Sequence, residues 1–118
     1  MIRFKKLDHV AIMIPAGKKD EAKAFYGNTL QLTEIPGNHP RGATWYEIAD
    51  IQLHLVEEDT DERLSGRHPA FEVTDLEAAK AYLESKGITI AYSSLIVGRE
   101  RLFFRDPFGN RIELLEYE

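Results

Sequence analysis

The sequence contains no cysteine among its 118 residues. No disulfide can form, and no thiolate is available as a nucleophile or as a metal ligand. Long apolar runs are lacking as well, since none approaches the roughly 20 residues that a membrane-spanning helix needs. The apolar stretch behind the basic start ends at Pro15 and is too short for a signal peptide. We therefore expect a cytoplasmic protein that makes no membrane contact.

Positive charge is also scarce, because 15 Lys and Arg residues face 20 Asp and Glu residues and the net charge is −5. An acidic chain of mixed charge is a poor non-specific binder of nucleic acid. No G-x-G-x-x-G segment, glycine-rich phosphate loop or G-x-S-x-G elbow occurs, and the acidic residues near position 60 lack calcium-loop spacing. Nucleotide binding, serine hydrolysis and calcium binding are therefore not indicated.

The first half of the chain alternates strand and helix patterns. Residues 5–14 are rich in Val and Ile and predict a strand, and residues 18–31 carry apolar side chains at helical spacing. A Gly/Pro loop at 36–42 follows, and the patterns at 43–48 and 51–57 predict paired strands.

The second half repeats this order. Thr74 and Glu77 have the spacing of a capping box, and Gly87 is placed to end the helix that follows. The pattern predicts a helix to about residue 86 and strands at 68–73, 88–92, 100–105 and 111–117.

The repeat indicates one α+β domain over residues 1–118, built from two β-α-β-β-β modules. The first module covers about 5–57 and the second about 67–118, and the polar residues 58–66 form the linker. We expect the modules to pair into a curled mixed sheet around a metal cavity, with the helices outside.

Four residues of metal-ligand type recur in matching register. His9 and His68 differ by 68 − 9 = 59 positions, and His54 and Glu113 differ by 113 − 54 = 59 positions. If the modules are structural repeats, a pseudo-twofold axis brings three imidazoles and one carboxylate together. Gln52 shares a strand face with His54 and could replace it as a ligand, although the offset favours His54.

The donor set is made of nitrogen and oxygen only. Such a set suits one divalent ion of Zn, Ni, Mn, Fe or Co, and four protein ligands leave positions open on a six-coordinate metal. A metal with open positions can polarise a carbonyl and stabilise an enediolate.

Aromatic and cationic side chains next to these positions are candidates for a substrate pocket. Trp45 and Phe104 again differ by 59 positions. His39, in the Gly/Pro loop, reads as a surface residue. The candidate pocket residues are Trp45, Tyr46, Phe103, Phe104 and Arg101.

At these positions the chain strongly resembles vicinal oxygen chelate proteins, the superfamily that includes glyoxalase I, methylmalonyl-CoA epimerase, extradiol dioxygenases, fosfomycin-resistance transferases and bleomycin-binding proteins. The resemblance covers essentially the whole chain. It is carried by LDHVAI at 7–12, EAKAFY at 21–26, HPAFEV at 68–73 and FRDPFGNRIEL at 104–114.

The resemblance implies paired β-α-β-β-β modules with a divalent metal held by the first and last strands of each module. Carried over to this chain, the ligands are His9, His54, His68 and Glu113. The implied activity is that of a glyoxalase-like lyase or isomerase acting on a small molecule that chelates the metal through adjacent oxygens. Glu113 is the only carboxylate in the set, so it would be both ligand and proton-transferring base.

Other activities of the superfamily stay open. One alternative is a metal-dependent dioxygenase or thiol transferase, and another is a non-catalytic drug- or metabolite-binding protein of the bleomycin-resistance kind. The resemblance also implies a homodimer, in which the ligands could come from one chain or from two.

Overall fold

The computed structural model describes residues 1–58 and 64–118. Most of the predicted linker at 58–66 lies outside the described residues. The chain divides into two compact units, Met1–Thr60 and Asp61–Glu118. Neither helix in the described ranges has the length and hydropathy that a membrane-spanning segment needs.

The first unit is a four-stranded mixed sheet with the strand order β1-β4-β3-β2. β1 runs parallel to β4, while β3 is antiparallel to both of its neighbours. The buried faces of β1 and β4 contribute Ile12, Ile14, Leu53 and Leu55 to the core. The elements are β1 (His9–Pro15), α1 (Lys19–Lys23), a π-helical turn (Ala24–Thr29), β2 (Thr33–Ile35), a 3-10 turn (Pro40–Gly42), β3 (Thr44–Ile48) and β4 (Ile51–Glu58).

The first helix differs from the single helix predicted over 18–31. Its α-helical part ends at Lys23 and continues as the π-helical turn, in which the Leu30 amide donates to the Phe25 carbonyl at 2.8 Å. Phe25 and Tyr26 are both buried in this turn. Periodicity predicts a helix here but does not distinguish an i→i+5 turn from an i→i+4 turn.

The second unit is a three-stranded mixed sheet with the order β5-β7-β6. β5 is parallel to β7, and β6 is antiparallel to β7. The strand predicted at 88–92 is reduced to an isolated bridge between Ala91 and Phe103. The elements are β5 (Ala70–Glu72), α2 (Leu76–Ser85), β6 (Arg99–Arg105) and β7 (Arg111–Tyr117).

The ends of α2 show one wrong and one correct prediction. The N-cap is Asp75, whose carboxylate accepts from the Ala78 amide at 3.0 Å, so the capping box predicted on Thr74 is wrong. A carboxylate of β7 adds a second contact, because Glu116 accepts from the Leu76 amide at 2.7 Å. The helix stops as predicted at Gly87, which has a φ of 76° that a side chain would disfavour.

The predicted α+β class is confirmed, with two mixed sheets and two α-helices among the described residues. The last strand matches its predicted bounds of 111–117, and β4 and β6 agree within one residue. The pairing of the modules around a cavity stays a prediction.

Candidate metal centre

The first unit gathers three candidate ligands on one face of its sheet. The parallel register places His9 beside Gln52 and Ala11 beside His54. Residues 52 and 54 share a face because side chains alternate along a strand. We call His9, Gln52 and His54 the histidine cluster. Its two imidazole rings stack with centroids 4.1 Å apart and planes 17° apart.

Hydrogen bonds favour a particular proton position on each ring of the histidine cluster. His9 Nδ1 donates to the Asp8 carboxylate at 2.9 Å, so a neutral His9 carries its lone pair on Nε2. A carboxylate behind a histidine is the arrangement that commonly orients metal-binding imidazoles. His54 Nε2 donates to the Gln52 amide oxygen at 2.9 Å, so a neutral His54 carries its lone pair on Nδ1. Gln52 and His54 remain alternative ligands.

The electrostatics of the histidine cluster favour a neutral His54. Burial lowers the pKa of His54, and the neighbouring His9 lowers it further. The hydrogen bond from His9 lowers the pKa of the Asp8 carboxyl. A neutral imidazole with a free lone pair is the form that binds a metal.

Trp45 lies opposite His54 on the neighbouring strand. The indole stacks on the His54 ring at a centroid distance of 3.9 Å, with 5° between the planes. On its other side, Trp45 stacks on His39 at 4.0 Å and 10°. The four rings His9, His54, Trp45 and His39 therefore form one continuous ring stack. The sequence predicts a surface position for His39, because a loop histidine carries no periodicity that ties it to a strand, whereas in the structure His39 is part-buried against Trp45.

The second unit brings His68 and Glu113 together. Glu113 lies on β7 opposite Ala70, and His68 precedes β5 by two residues. His68 Nε2 is 3.1 Å from Glu113 Oε1. The other ring nitrogen, Nδ1, lies 2.8 Å from the Gly66 carbonyl oxygen and can only donate to it. We call His68, Arg101 and Glu113 the glutamate cluster.

The His68–Glu113 contact joins two groups that are both acceptors when His68 is neutral. With its proton on Nδ1, the imidazole presents a lone pair at Nε2, and the carboxylate presents another. Two facing lone pairs are stable only with a shared proton or a cation near them. Lone pairs arranged in this way could also bind a metal ion. The Glu113 residue is only 4% exposed, so little water is available to screen its charge.

Arg101 supplies one positive charge to the glutamate cluster. Its Nη1 donates to Glu113 Oε1 at 3.3 Å, and its Nη2 donates to the Ser94 carbonyl at 2.7 Å. The guanidinium therefore holds the same oxygen that faces His68. A cation bound to Glu113 would have to share this oxygen with Arg101 or use the second one.

The candidate pocket aromatics fall on two different faces. Phe103 lies opposite Glu113, and the edge of the His68 ring meets it at a centroid distance of 5.2 Å. Phe104 pairs with Ile112 on the reverse face and is buried. Tyr46, next to Trp45 along β3, is buried on the reverse face of its own sheet.

The strand register corrects one residue match between the two modules of the chain. Trp45 lies opposite His54, whereas Phe103 lies opposite Glu113. Phe103 is therefore the structural equivalent of Trp45, and the equivalence read between Trp45 and Phe104 is wrong by one residue. The cause lies in the hairpins, because Trp45 and His54 are 54 − 45 = 9 positions apart, whereas Phe103 and Glu113 are 113 − 103 = 10 positions apart.

The chemistry of these donors, imidazole nitrogen and carboxylate or amide oxygen, is of the kind that suits a divalent metal, and the donors lie in two sets, one in each unit. Across the described ranges 1–58 and 64–118, no group of three or more His, Asp or Glu side chains is arranged to hold a metal ion. Each unit thus holds part of the candidate donor set, with hydrogen bonds that orient the imidazole rings.

Comparison with known proteins assigns the chain to a family. A sequence model described as Glyoxalase/Bleomycin resistance protein/Dioxygenase superfamily matches residues 6–114. The chain belongs to this superfamily. Members of the superfamily often use a divalent metal, in keeping with the donor types found here. No protein with a curated description matches the chain significantly.

Several solved structures share the fold of this chain over nearly its full length. A glyoxalase family protein from Bacillus anthracis is 32% identical with a TM-score of 0.90, and the match covers 100% of this chain and 99% of that one. Lactoylglutathione lyase from Agrobacterium tumefaciens is 19% identical with a TM-score of 0.77, covering 98% and 100%. TnmS3, an antibiotic-binding protein from Streptomyces sp. CB03234, is 20% identical with a TM-score of 0.77, covering 100% of both chains. The last two likenesses show the fold alone.

Proposed function

We propose that this chain is a metal-dependent lyase or isomerase of the glyoxalase type. Its substrate would be a small molecule that presents two adjacent oxygens to one divalent ion. The proposed ligands are His9, His54, His68 and Glu113. Superfamily membership and the donor chemistry of the two clusters support this proposal.

One observation carries the proposal furthest, which is the contact between His68 Nε2 and Glu113 Oε1 at 3.1 Å. The Gly66 carbonyl orients the imidazole so that its second nitrogen faces the carboxylate. Two mutually facing acceptors are costly to bury unless a proton or a metal ion lies between them. Glu113 is the buried member of this pair, with a side chain that is 6% exposed, whereas the His68 side chain is 28% exposed.

A bound divalent ion would polarise the adjacent oxygens of the substrate and stabilise the charge that develops beside them. Glu113 would take the proton from the carbon next to the carbonyl and return it to the neighbouring carbon. To act as the base, the Glu113 carboxylate would need an oxygen free of any bound ion when it accepts the proton. Arg101 would hold the freed carboxylate in place through the bond at 3.3 Å.

The test begins with metal content, measured by mass spectrometry on untagged protein after reconstitution with Zn, Ni, Mn, Fe or Co. We expect near one equivalent per site, and loss of that metal in the His9→Ala/His68→Ala double variant. The loaded protein is then assayed with hemithioacetals and epimerisable thioesters. Failure of every ion to bind would overturn the proposal.

Glu113→Gln tests the proton-transfer role. We expect turnover to fall at least about 100-fold, since general acid–base groups contribute typically 10²–10⁴-fold. Glu116→Gln is the matched control, because Glu116 lies on the same strand but bonds the start of α2 instead. Full turnover in Glu113→Gln would rule out its role as the base.

A second candidate function is drug or metabolite binding without chemistry. Two observations favour it: Arg101 already neutralises Glu113, and no donor group of three is assembled among the described residues. The exposed face of the ring stack would then be a platform for a planar ligand. This reading predicts ligand affinity that is unchanged by a chelator, whereas a dioxygenase would consume oxygen when loaded with iron or manganese.

We also propose a homodimer, as the resemblance implies. Light scattering on the full chain measures its mass directly. A monomer at micromolar concentration, with or without metal, would contradict this assembly.

A further inference from the structure

The ring stack of the first unit is tied down at both of its ends. At one end, His39 Nε2 donates to the Ile35 carbonyl at 2.9 Å. At the other end, His9 Nδ1 donates to the Asp8 carboxylate at 2.9 Å. Between these anchors, successive ring centroids are separated by 4.0, 3.9 and 4.1 Å, and the planes of neighbouring rings differ by 10°, 5° and 17°. Four rings are thereby held nearly parallel.

His54 lies inside this stack, between Trp45 and His9. Its residue is 8% exposed, and its Nε2 is bonded to Gln52. Both faces and one edge of the imidazole are therefore fixed by neighbours. A ring held in this way loses little further rotational freedom when it binds an ion.

We propose that Trp45 and His39 are positioning residues that orient His54 for metal binding. This inference rests on the proposed function, since it assumes that His54 is a ligand. Trp45 supports the ring directly, while His39 supports the opposite face of the indole and does not touch the metal.

The electronic structure of the rings also favours metal binding by a stacked His54. Coordination withdraws electron density from an imidazole, and an electron-poor ring is attracted more strongly to the electron-rich face of an indole. The stack is then stronger in the metal-bound state than in the free state. A contact that differs between the two states contributes to affinity, and by linkage the metal also strengthens the stack.

The experiment measures Zn²⁺ affinity of the full chain by calorimetry, starting from protein freed of metal by a chelator. Trp45→Leu removes the central ring, and Trp45→Phe keeps a smaller one. His39→Ala removes the outer ring, while His39→Phe restores a ring that can neither donate to Ile35 nor coordinate. Tyr92→Leu is the control for loss of an aromatic ring, because Tyr92 lies in the second unit and is 61% exposed.

We expect Trp45→Leu to weaken Zn²⁺ binding by roughly 10-fold to 100-fold, as for other groups that orient metal ligands. We expect His39→Ala to weaken it by roughly 10-fold. Each Phe variant recovers a large part of the loss, which a general loss of stability would not produce. Thermal unfolding of each variant is recorded alongside. If Trp45→Leu fails to fold, the His39 pair decides the question.

A second readout does not require metal. Trp45 is the only tryptophan, and its ring current shifts the ring protons of His54 in the NMR spectrum of the metal-free protein. That shift disappears in Trp45→Leu and changes in His39→Ala if His39 steadies the indole.

The outcomes distinguish a failure of the positioning role from a failure of the proposed function. A wild type that binds Zn²⁺, with variants of unchanged affinity, overturns the positioning role and leaves the proposed function standing. Equal weakening in His39→Ala and His39→Phe also overturns it, because the imidazole itself would then be required. A wild type that binds no ion overturns the proposed function and this role with it.

Discussion

Replacing Arg101 tests how the buried charge of Glu113 is stabilised. The two side chains are 15% and 6% exposed, and Nη1 lies 3.3 Å from Oε1. At that distance the Coulomb attraction is about 5 kcal/mol for an effective dielectric constant of about 20. Removing one partner of a buried pair leaves the other charge unpaired, which typically costs about 3–5 kcal/mol.

Two features make the expected loss of stability in Arg101→Met smaller than this. The contact is a single, fairly long hydrogen bond. Arg101 Nε is also buried without a hydrogen-bond partner among the described residues, so its removal returns about 1 kcal/mol. We therefore expect the free energy of unfolding to fall by about 2–3 kcal/mol in metal-free protein. Since about 1 kcal/mol shifts the melting temperature of a domain of this size by roughly 4 °C, the variant melts about 10 °C lower.

Urea unfolding in the presence of a chelator measures this loss, with Arg101→Lys as the charge-conserving control. A double-mutant cycle with Glu113→Gln isolates the pair from other effects of the substitution. The reasoning is refuted if Arg101→Met costs under about 0.5 kcal/mol, or if it costs the same in the Glu113→Gln background. Added Zn²⁺ is expected to reduce the loss, because a bound cation also neutralises Glu113.

Three further predictions concern other parts of the chain. Burial raises the pKa of Tyr46 to about 12. The stabilisation that depends on the protonated Tyr46 hydroxyl is therefore present below pH 10 and is lost as the pH rises from 10 through 12. Urea unfolding across this range is expected to show a steeper loss of stability with rising pH in the wild type than in Tyr46→Phe. Asp106→Ala removes the hydrogen-bond acceptor of the Phe108 amide, the Asn110 amide and the Asn110 side chain. We expect the free energy of unfolding to fall by about 2–4 kcal/mol, and a loss under about 1 kcal/mol in thermal unfolding would contradict this. Asp8→Asn removes the carboxylate behind His9 and is expected to weaken Zn²⁺ binding roughly 10-fold, with unchanged affinity as the contrary result in calorimetry.

Much of the strand arrangement could be predicted from repetition in the sequence. The offset of 59 residues reappears in the parallel ladders, where Ala11 pairs with His54 and Ala70 pairs with Glu113. Alternation along a strand then fixes which side chains share a face. That these faces form one metal site stays a prediction.

Other features depend on contacts that are distant in sequence. The short strand β2 (Thr33–Ile35) has only three residues and carries no alternation that a pattern could identify. The π-helical turn differs from an α-helix by one hydrogen-bond step, and both bury Phe25 and Tyr26. The role of His39 depends on the position of Trp45, which only the folded hairpin defines.

The bridge between Ala91 and Phe103 also protects the edge of the second sheet. β6 is an outer strand, and such strands can pair with another chain and start aggregation. Ala91 occupies this edge at Phe103 through two backbone hydrogen bonds, each 2.8 Å long. The rest of the edge begins with the alternating charges of Arg99, Glu100 and Arg101, which disfavour a second strand. Arg101, which bonds Glu113, therefore also helps to keep the sheet from pairing with a strand of another chain.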